Sequence, residues 1–232
     1  MTILYRIICL IFGYGFGLIQ TAYLYGKIKN IDIRDYGSGN SGTTNAMRVL
    51  GKKAGLITFI GDLGKAILCS VLILVIFQYG MGYSSDYVLL LRFYGGVGVV
   101  LGHNFPFYMN FKGGKGIAAT SGVILSLGDY KLILIELAIF IGVTLITKYV
   151  SLGSLCIMAA FFIQVVIYNE LGILGFKNNI HLTGEHRIEM YIIVLFIAAL
   201  AWYKHRANIK RLLNGTENKI GSKKSKTSND AQ

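Results

Sequence analysis

An all-α bundle that crosses a membrane several times is the fold class this sequence predicts, and three observations predict it. Of its 232 residues 54% are apolar and only 15% are charged, with a mean hydropathy of +0.57; a soluble domain does not need so much apolar sequence. Apolar runs recur along the whole length. The 23 Lys and Arg residues collect mostly in alternate segments between those runs, the pattern of basic residues on cytoplasmic loops.

In order, the runs are residues 3–25, 54–81, 87–101, 117–127, 132–147, 155–176 and 190–203, and they predict seven transmembrane helices. The first carries one early charge, Arg6, and no small-residue cleavage site follows it, so it is expected to be a retained span and not a secretory signal. The first, second and sixth runs meet the requirement of about 20 residues for a crossing. Residues 117–127 make only about half a crossing at roughly 1.5 Å per residue, which admits a re-entrant segment. Gly128-Asp129-Tyr130-Lys131 predicts a tight turn that pairs the fourth and fifth runs as a hairpin.

Charge sets the expected orientation. With the N-terminus outside, Lys27, Lys29, Arg34, Arg48, Lys52, Lys53, Lys112, Lys115, Lys148, Lys204, Arg206, Lys210, Arg211, Lys219, Lys223, Lys224 and Lys226 fall on the cytoplasmic side. Arg6, Arg92, Lys131, Lys177 and Arg187 fall on the other, and Lys65 lies inside the second span. Removing one span would part the basic tail from the basic first loop, so the C-terminus is expected in the cytoplasm. Residues 1–217 are expected to form one membrane domain, and 218–232 a basic, disordered tail. The formal net charge of +12 fits this asymmetry and attraction to anionic lipid head groups. No nucleic-acid partner is expected, because no binding module accompanies the charge. Cys9, Cys69 and Cys156 lie far apart in apolar runs without ligand spacing, so neither metal, cofactor nor disulfide is expected.

Four polar segments face one side in this topology, and each has a bland reading beside a functional one. Gly37-Ser38-Gly39-Asn40-Ser41-Gly42 matches GxGxxG literally, but no strand precedes it and no βαβ unit surrounds it, which excludes a dinucleotide fold. It is either a flexible loop or a backbone nest feeding a helix at Thr43-Thr44-Asn45, with Arg48 one turn in to meet a phosphate. Phe111-Lys112-Gly113-Gly114-Lys115-Gly116 lacks the Ser or Thr of a P-loop, so ATP use is disfavoured. A lysine framed by glycines suits an anion, or is a basic stop between spans. Pro106 gives its approach a fixed shape, and His103 is a base or a structural hydrogen-bonding residue. Ser151 and Ser154 share a helix face at the sixth span, where one of them could be an N-cap. His205 and Asn208 have the same spacing where the seventh span ends. Asp62 and Lys65 are ionisable groups at membrane depth, an i, i+3 ion pair or support for the site.

Together these segments resemble the bacterial acyl-phosphate-dependent glycerol-3-phosphate acyltransferases, the PlsY family. The resemblance rests on Ser38-Gly39-Asn40-Ser41-Gly42-Thr43-Thr44-Asn45, on Gly102-His103-Asn104-Phe105-Pro106-Phe107 through Gly116, on Ser151-Leu152-Gly153-Ser154, and on His205-Arg206-Ala207-Asn208-Ile209 with Gly215-Thr216-Glu217. Thr43 stands where the family usually has alanine. The resemblance implies a multi-pass protein of the bacterial inner membrane, with a cytoplasmic active site moving a fatty acyl group from acyl phosphate to the 1-hydroxyl of glycerol 3-phosphate. Lysophosphatidic acid and phosphate are the implied products, in the first acylation of phospholipid synthesis. Lys115, Ser154, His205 and Asn208 are the implied catalytic set. Ser38, Gly39, Asn40, Gly42, Thr43, Thr44, Asn45, Arg48, Lys112, Gly113, Gly114, Ser151 and Glu217 are the implied substrate-binding residues, Glu217 on resemblance alone. Expected partners are acyl phosphate, glycerol 3-phosphate, membrane lipids and the enzyme that makes acyl phosphate. The competing class is a transporter of a phosphorylated solute, disfavoured because no internal repeat is found and the motifs lie on one face.

Overall fold

The computed structural model describes residues 2–175 and 180–220. The expected disordered tail from 221 onward and the loop residue Lys177 lie outside them. The described residues contain ten α-helices: α1 Thr2–Gly17, α2 Thr21–Ile28, α3 Thr43–Leu50, α4 Lys52–Leu74, α5 Ser85–Asn104, α6 Ile117–Ser126, α7 Tyr130–Thr147, α8 Val150–Glu170, α9 Gly184–Lys204 and α10 Arg206–Leu213. A π-helical turn, Val75–Gly80, prolongs α4.

Among the described residues six spans are long and apolar enough to cross a membrane: Ile3–Ile28, Lys52–Gly80, Ser85–Met109, Tyr130–Thr147, Val150–Glu170 and Gly184–Lys204. The fourth predicted run is the 10-residue α6, too short to cross alone. The first span is broken: α1 ends at Gly17 and α2 starts at Thr21. The sixth predicted run becomes α8, which begins earlier and ends sooner than the run suggests, so Ser151 and Ser154 lie inside its first turns. Its N-cap is Tyr149, with no side-chain cap, so neither serine caps the helix.

Helix α5 is the axis of the bundle, with 83% of its apolar stretch buried against 17% in α7. Its glycines explain how. Gly13 and Gly17 of α1 meet α5 so closely that a Cβ at either would fall on the Gly95 or Val99 carbonyl; a Cβ at Gly98 or Gly102 would fall on the Leu10 or Tyr14 carbonyl. Small residues four apart on both helices let the two backbones touch, the usual packing device in lipid. Outward faces are apolar too, as with Ile3, Leu4 and Ile11 of α1 and Leu134, Leu137 and Leu145 of α7, all exposed.

Two of the basic residues that charge counting expects on the outer side are buried between helices. Arg6 pairs from α1 with Glu189 of α9 at 2.8 Å. Arg92 is buried in α5, where its Nε donates to Ser70 Oγ at 2.8 Å and its Nη2 to the Ser126 carbonyl. That carbonyl closes α6, so Arg92 caps the short helix from within the bundle. At the turn between α6 and α7, Gly128 takes φ +71°, and the buried Asp129 accepts from the N–H groups of Lys131 and Gly175, each at 3.0 Å. This bears out the predicted turn. Cys9 and Cys69 pack in the core with Ala66 and Ile73, and all three cysteines are free.

Gly98→Leu is expected to lower stability by about 3 kcal/mol, an overpacking cost in a contact with no slack. Gly64, which faces open space, should accept alanine within about 0.5 kcal/mol. Unfolding midpoints in detergent check both; an unshifted Gly98→Leu would mean that α1 and α5 are not held by glycine contact.

Candidate active site

The four polar segments meet at one end of the bundle. The first, between α2 and α3, is shaped by its own side chains. Asp32 accepts from the Arg34 N–H at 3.0 Å to start a 3-10 turn over Ile33–Asp35 and binds the Arg34 guanidinium at 2.6 Å. That pairing holds the Asp32 carboxyl below its usual range. Asn45, buried on α3, accepts from the Ser38 N–H at 2.8 Å and donates to the Ile33 and Tyr36 carbonyls at 3.2 and 3.0 Å. Asn45 is therefore spent on folding the loop around itself. Ser38, Gly39, Thr44 and Arg48 stay exposed.

The second segment leaves α5 through Pro106 and a 3-10 turn, Phe107–Met109. Asn110 and Phe111 then take left-handed φ of 53° and 57°, an uncommon conformation for a bulky residue. The chain doubles back onto the end of α5. Gly113 N–H donates to the Asn104 carbonyl at 3.2 Å and Gly114 N–H to the His103 carbonyl at 3.0 Å. The last carbonyls of a helix need donors, so these two amides satisfy α5 and are not turned to an anion. Gly114 must be glycine because a Cβ there would land on the His103 ring. Asn40 of the first loop donates to the Gly113 carbonyl at 3.4 Å, which joins the two glycine segments. Lys112 is exposed and Lys115 half-buried.

The third and fourth segments close on Lys115. Its Nζ donates to Asn208 Oδ1 on α10. Asn208 Nδ2 donates to Glu217 Oε1 at 2.8 Å, and Ser151 Oγ of α8 donates to the same oxygen at 3.2 Å. Arg211 Nε donates to Glu217 Oε2 at 2.7 Å. One carboxylate thus ties α8, α10 and the chain beyond α10 to the lysine. Past it, the Ile220 N–H donates to the Lys148 carbonyl at 2.9 Å. Burial, followed by the positive charges of Arg211, Arg48 and Lys204, pushes the Lys115 ammonium down to about 8 against the pull of Glu217.

His205 stands at the corner between α9 and α10, its Nδ1 2.7 Å from the Ala201 carbonyl. A carbonyl only accepts, so the ring proton is assigned to Nδ1 and Nε2 keeps a free lone pair. Burial first, and then Lys115, push the imidazole down to about 4, so at neutral pH it is uncharged.

Lys115, Asn208, Ser151 and Glu217 are brought into direct contact, with His205 and Arg48 within electrostatic reach of Lys115. Ser154 is buried beside Ser151, but its hydroxyl donates to the Val150 carbonyl of its own helix at 2.9 Å. The buried Thr43 Oγ1 has no hydrogen-bond partner among the described residues, whereas Gly42 precedes α3 without a side-chain cap. Sequence reading passed over Arg211, hidden in a basic run, and Gln20, whose only signal was an amide inside an apolar span. It also passed over Lys204 as a binding candidate; its Nζ donates to the Asn104 carbonyl at 3.1 Å and lies 4.7 Å over the Phe105 ring.

The family model described as glycerol-3-phosphate acyltransferase matches residues 7–215 of this chain. A glycerol-3-phosphate acyltransferase of Clostridioides difficile is 40% identical over 226 residues, covering 97% of this chain and 100% of the relative. One from Thermoanaerobacter sp. is 41% identical over 221 residues, covering 95% and 98%. The crystal structure of PlsY, an integral membrane glycerol 3-phosphate acyltransferase, in its glycerol 3-phosphate form superposes with a TM-score of 0.75 at 30% identity, over 93% of this chain and 96% of that one. Its lysophosphatidic acid form gives 0.73 at 29% identity, over 93% and 95%. Matched almost from end to end in sequence and in fold, the chain belongs to the glycerol-3-phosphate acyltransferase family of integral membrane proteins, the PlsY family.

Proposed function

We propose that this protein moves a fatty acyl group from acyl phosphate to the 1-hydroxyl of glycerol 3-phosphate, at the cytoplasmic face of the bacterial inner membrane, and releases lysophosphatidic acid and inorganic phosphate. The observation that carries the reading is the hydrogen-bonded chain from Lys115 through Asn208 and Glu217 to Ser151, set beside the first glycine loop. It gathers cations at one end of an apolar bundle, which suits a phosphate-bearing acceptor in water and a donor whose tail stays in lipid. Seven membrane helices with the N-terminus outside keep all four polar segments on one side; α6, too short to cross by helix alone, then makes the outward arm of a hairpin that α7 completes.

Acyl phosphate is an activated mixed anhydride, so the site needs to position and neutralise charge more than to form an acyl-enzyme. In our reading Ser38, Gly39, Asn40, Gly42, Thr43 and Thr44 hold the donor's phosphate in a loop shaped by Asn45. Arg48, Lys112, Lys115 and Asn208 hold the acceptor, with Ser151 and Glu217 fixing Asn208 and Ser154 lining the site beside them. The acceptor's hydroxyl oxygen attacks the acyl carbon, the bond from that carbon to the phosphate oxygen breaks, and phosphate leaves. Its proton goes to the acceptor's own phosphate. That group's second ionisation, near 6, makes it a stronger base than an imidazole held to about 4. Neutral His205 orients the hydroxyl through Nε2.

Transport of a phosphorylated solute would call for charges near the midplane that open to both sides, and the polar segments here gather at one end. Purified protein given a long-chain acyl phosphate and glycerol 3-phosphate should release phosphate and make lysophosphatidic acid, and acyl-CoA should not replace the donor. Absence of both products would overturn the assignment.

Lys115→Ala should raise the KM for glycerol 3-phosphate about 10- to 100-fold, the loss of one charge-assisted contact worth about 1.5–3 kcal/mol. An unchanged KM would remove Lys115 from the phosphate clamp. The profile of kcat/KM against pH should rise through about 6, as the acceptor phosphate becomes a dianion, and fall through about 8, as free Lys115 loses its proton. A rising limb near 4 would instead point to His205 as the base.

A further inference from the structure

Asp62 and Lys65, the ionisable pair inside the second span, take no part in the chemistry above, yet both are almost wholly buried. They sit where the first span breaks. Lys65 Nζ donates to Asp62 Oδ1 at 2.9 Å and to the Ile19 carbonyl at 2.6 Å, with the Gly17 carbonyl at 3.4 Å. It also lies 3.0 Å from His103 Nδ1. An ammonium only donates, so Nδ1 is the accepting nitrogen and the ring proton is assigned to Nε2. Thr21 Oγ1 donates to the same Asp62 oxygen at 3.3 Å.

Two arms leave this cluster. Along one, the His103 ring fills the space where a Gly114 side chain would lie, and the His103 carbonyl holds the Gly114 N–H at 3.0 Å. Along the other, Gln20, at the break itself, donates from Nε2 to the His103 carbonyl at 2.9 Å and accepts from Ser41 Oγ at 3.2 Å. Gly114 belongs to the second glycine segment and Ser41 to the first.

We propose that Asp62, Lys65 and His103 are positioning residues that hold the two substrate loops in one fixed relation, through Gly114 on one side and through Gln20 and Ser41 on the other. The proposal rests on the active-site reading above. The ion pair touches neither loop itself; it holds the His103 ring and the carbonyls of the break beside Gln20, and His103 and Gln20 are the residues that bond to the two loops. Reacting groups must be aligned closely, and a misplacement of about 1 Å costs on the order of 100-fold in rate. Loosening this hub is therefore a kinetic event for both substrates at once.

The test compares Lys65→Met, Lys65→Arg and Ser41→Ala in the full chain, each varied against a long-chain acyl phosphate and against glycerol 3-phosphate. Lys65→Met, eluting as folded protein, should raise both KM values about tenfold and lower kcat about 100-fold. Lys65→Arg keeps the cation and should recover most of the loss. Ser41→Ala cuts one arm only, and should raise the acyl phosphate KM about fivefold while leaving the glycerol 3-phosphate KM alone. Folded Lys65→Met with kcat and both KM values within about twofold of the unaltered protein overturns the proposal, as does a loss confined to one substrate. If Lys65→Met does not fold, Ser41→Ala decides, and an unchanged acyl phosphate KM overturns it. An unaltered protein that transfers no acyl group refutes the functional reading instead. Calorimetric titration then tests the hub: Lys65→Met weakens glycerol 3-phosphate binding if the hub positions the loops or, where it does not fold, Ser41→Ala weakens acyl phosphate binding, and equal affinity overturns it.

Discussion

Inside a bilayer a main-chain carbonyl has no water to turn to, so a helix that breaks at membrane depth needs donors from the protein itself. The first span breaks between Gly17 and Thr21, and its carbonyls are met by the Lys65 ammonium and the Gln20 amide. A cation in that position needs its own counterion, which Asp62 supplies at 2.9 Å, and a neighbour that can accept, which His103 supplies. The remaining hydrogen-bonding capacity of Gln20 and His103 then fixes the loops above them. One local problem of backbone satisfaction accounts for most of the polar architecture beneath the site.

Close packing makes that solution possible. With glycines on both sides, α1 approaches α5 until the two backbones touch, which brings the break in the first span beside the last turn of α5. Gln20 can then reach the Gly102 and His103 carbonyls. Larger residues would hold the helices apart, and an amide side chain could not span the gap. Arg92 plays the corresponding part at the far end of α6, where it closes a helix that stops within the bundle.

Much of this was legible in the sequence because its signals are local. Apolar runs of sufficient length mark the spans, and glycines beside lysines mark the loops that come together. The Gly128–Asp129 turn could be read from residue type alone. What could not be read depends on contacts across the bundle. Nothing in the order of residues shows that the amides of Gly113 and Gly114 serve α5, that Ser154 bonds to its own helix, or that Asn45 is consumed in shaping its loop. The burial of Arg6 and Arg92 is silent for the same reason: a charge count sees a cation but not the Glu189, Ser70 and Ser126 that receive it. The break in the first span is silent as well, since Leu18, Ile19 and Gln20 contain neither glycine nor proline.

The Glu217 clasp has a consequence for how the protein is made. Every candidate span among the described residues precedes it in the chain, and the carboxylate that joins Ser151, Asn208 and Arg211 is synthesised after all of them. A growing chain can thus insert all of its spans and pack its glycine crossing while this end of the bundle remains open. Completion waits for the residues after α10 to leave the ribosome and fold back, so insertion into the membrane and assembly of this end are separate events in time.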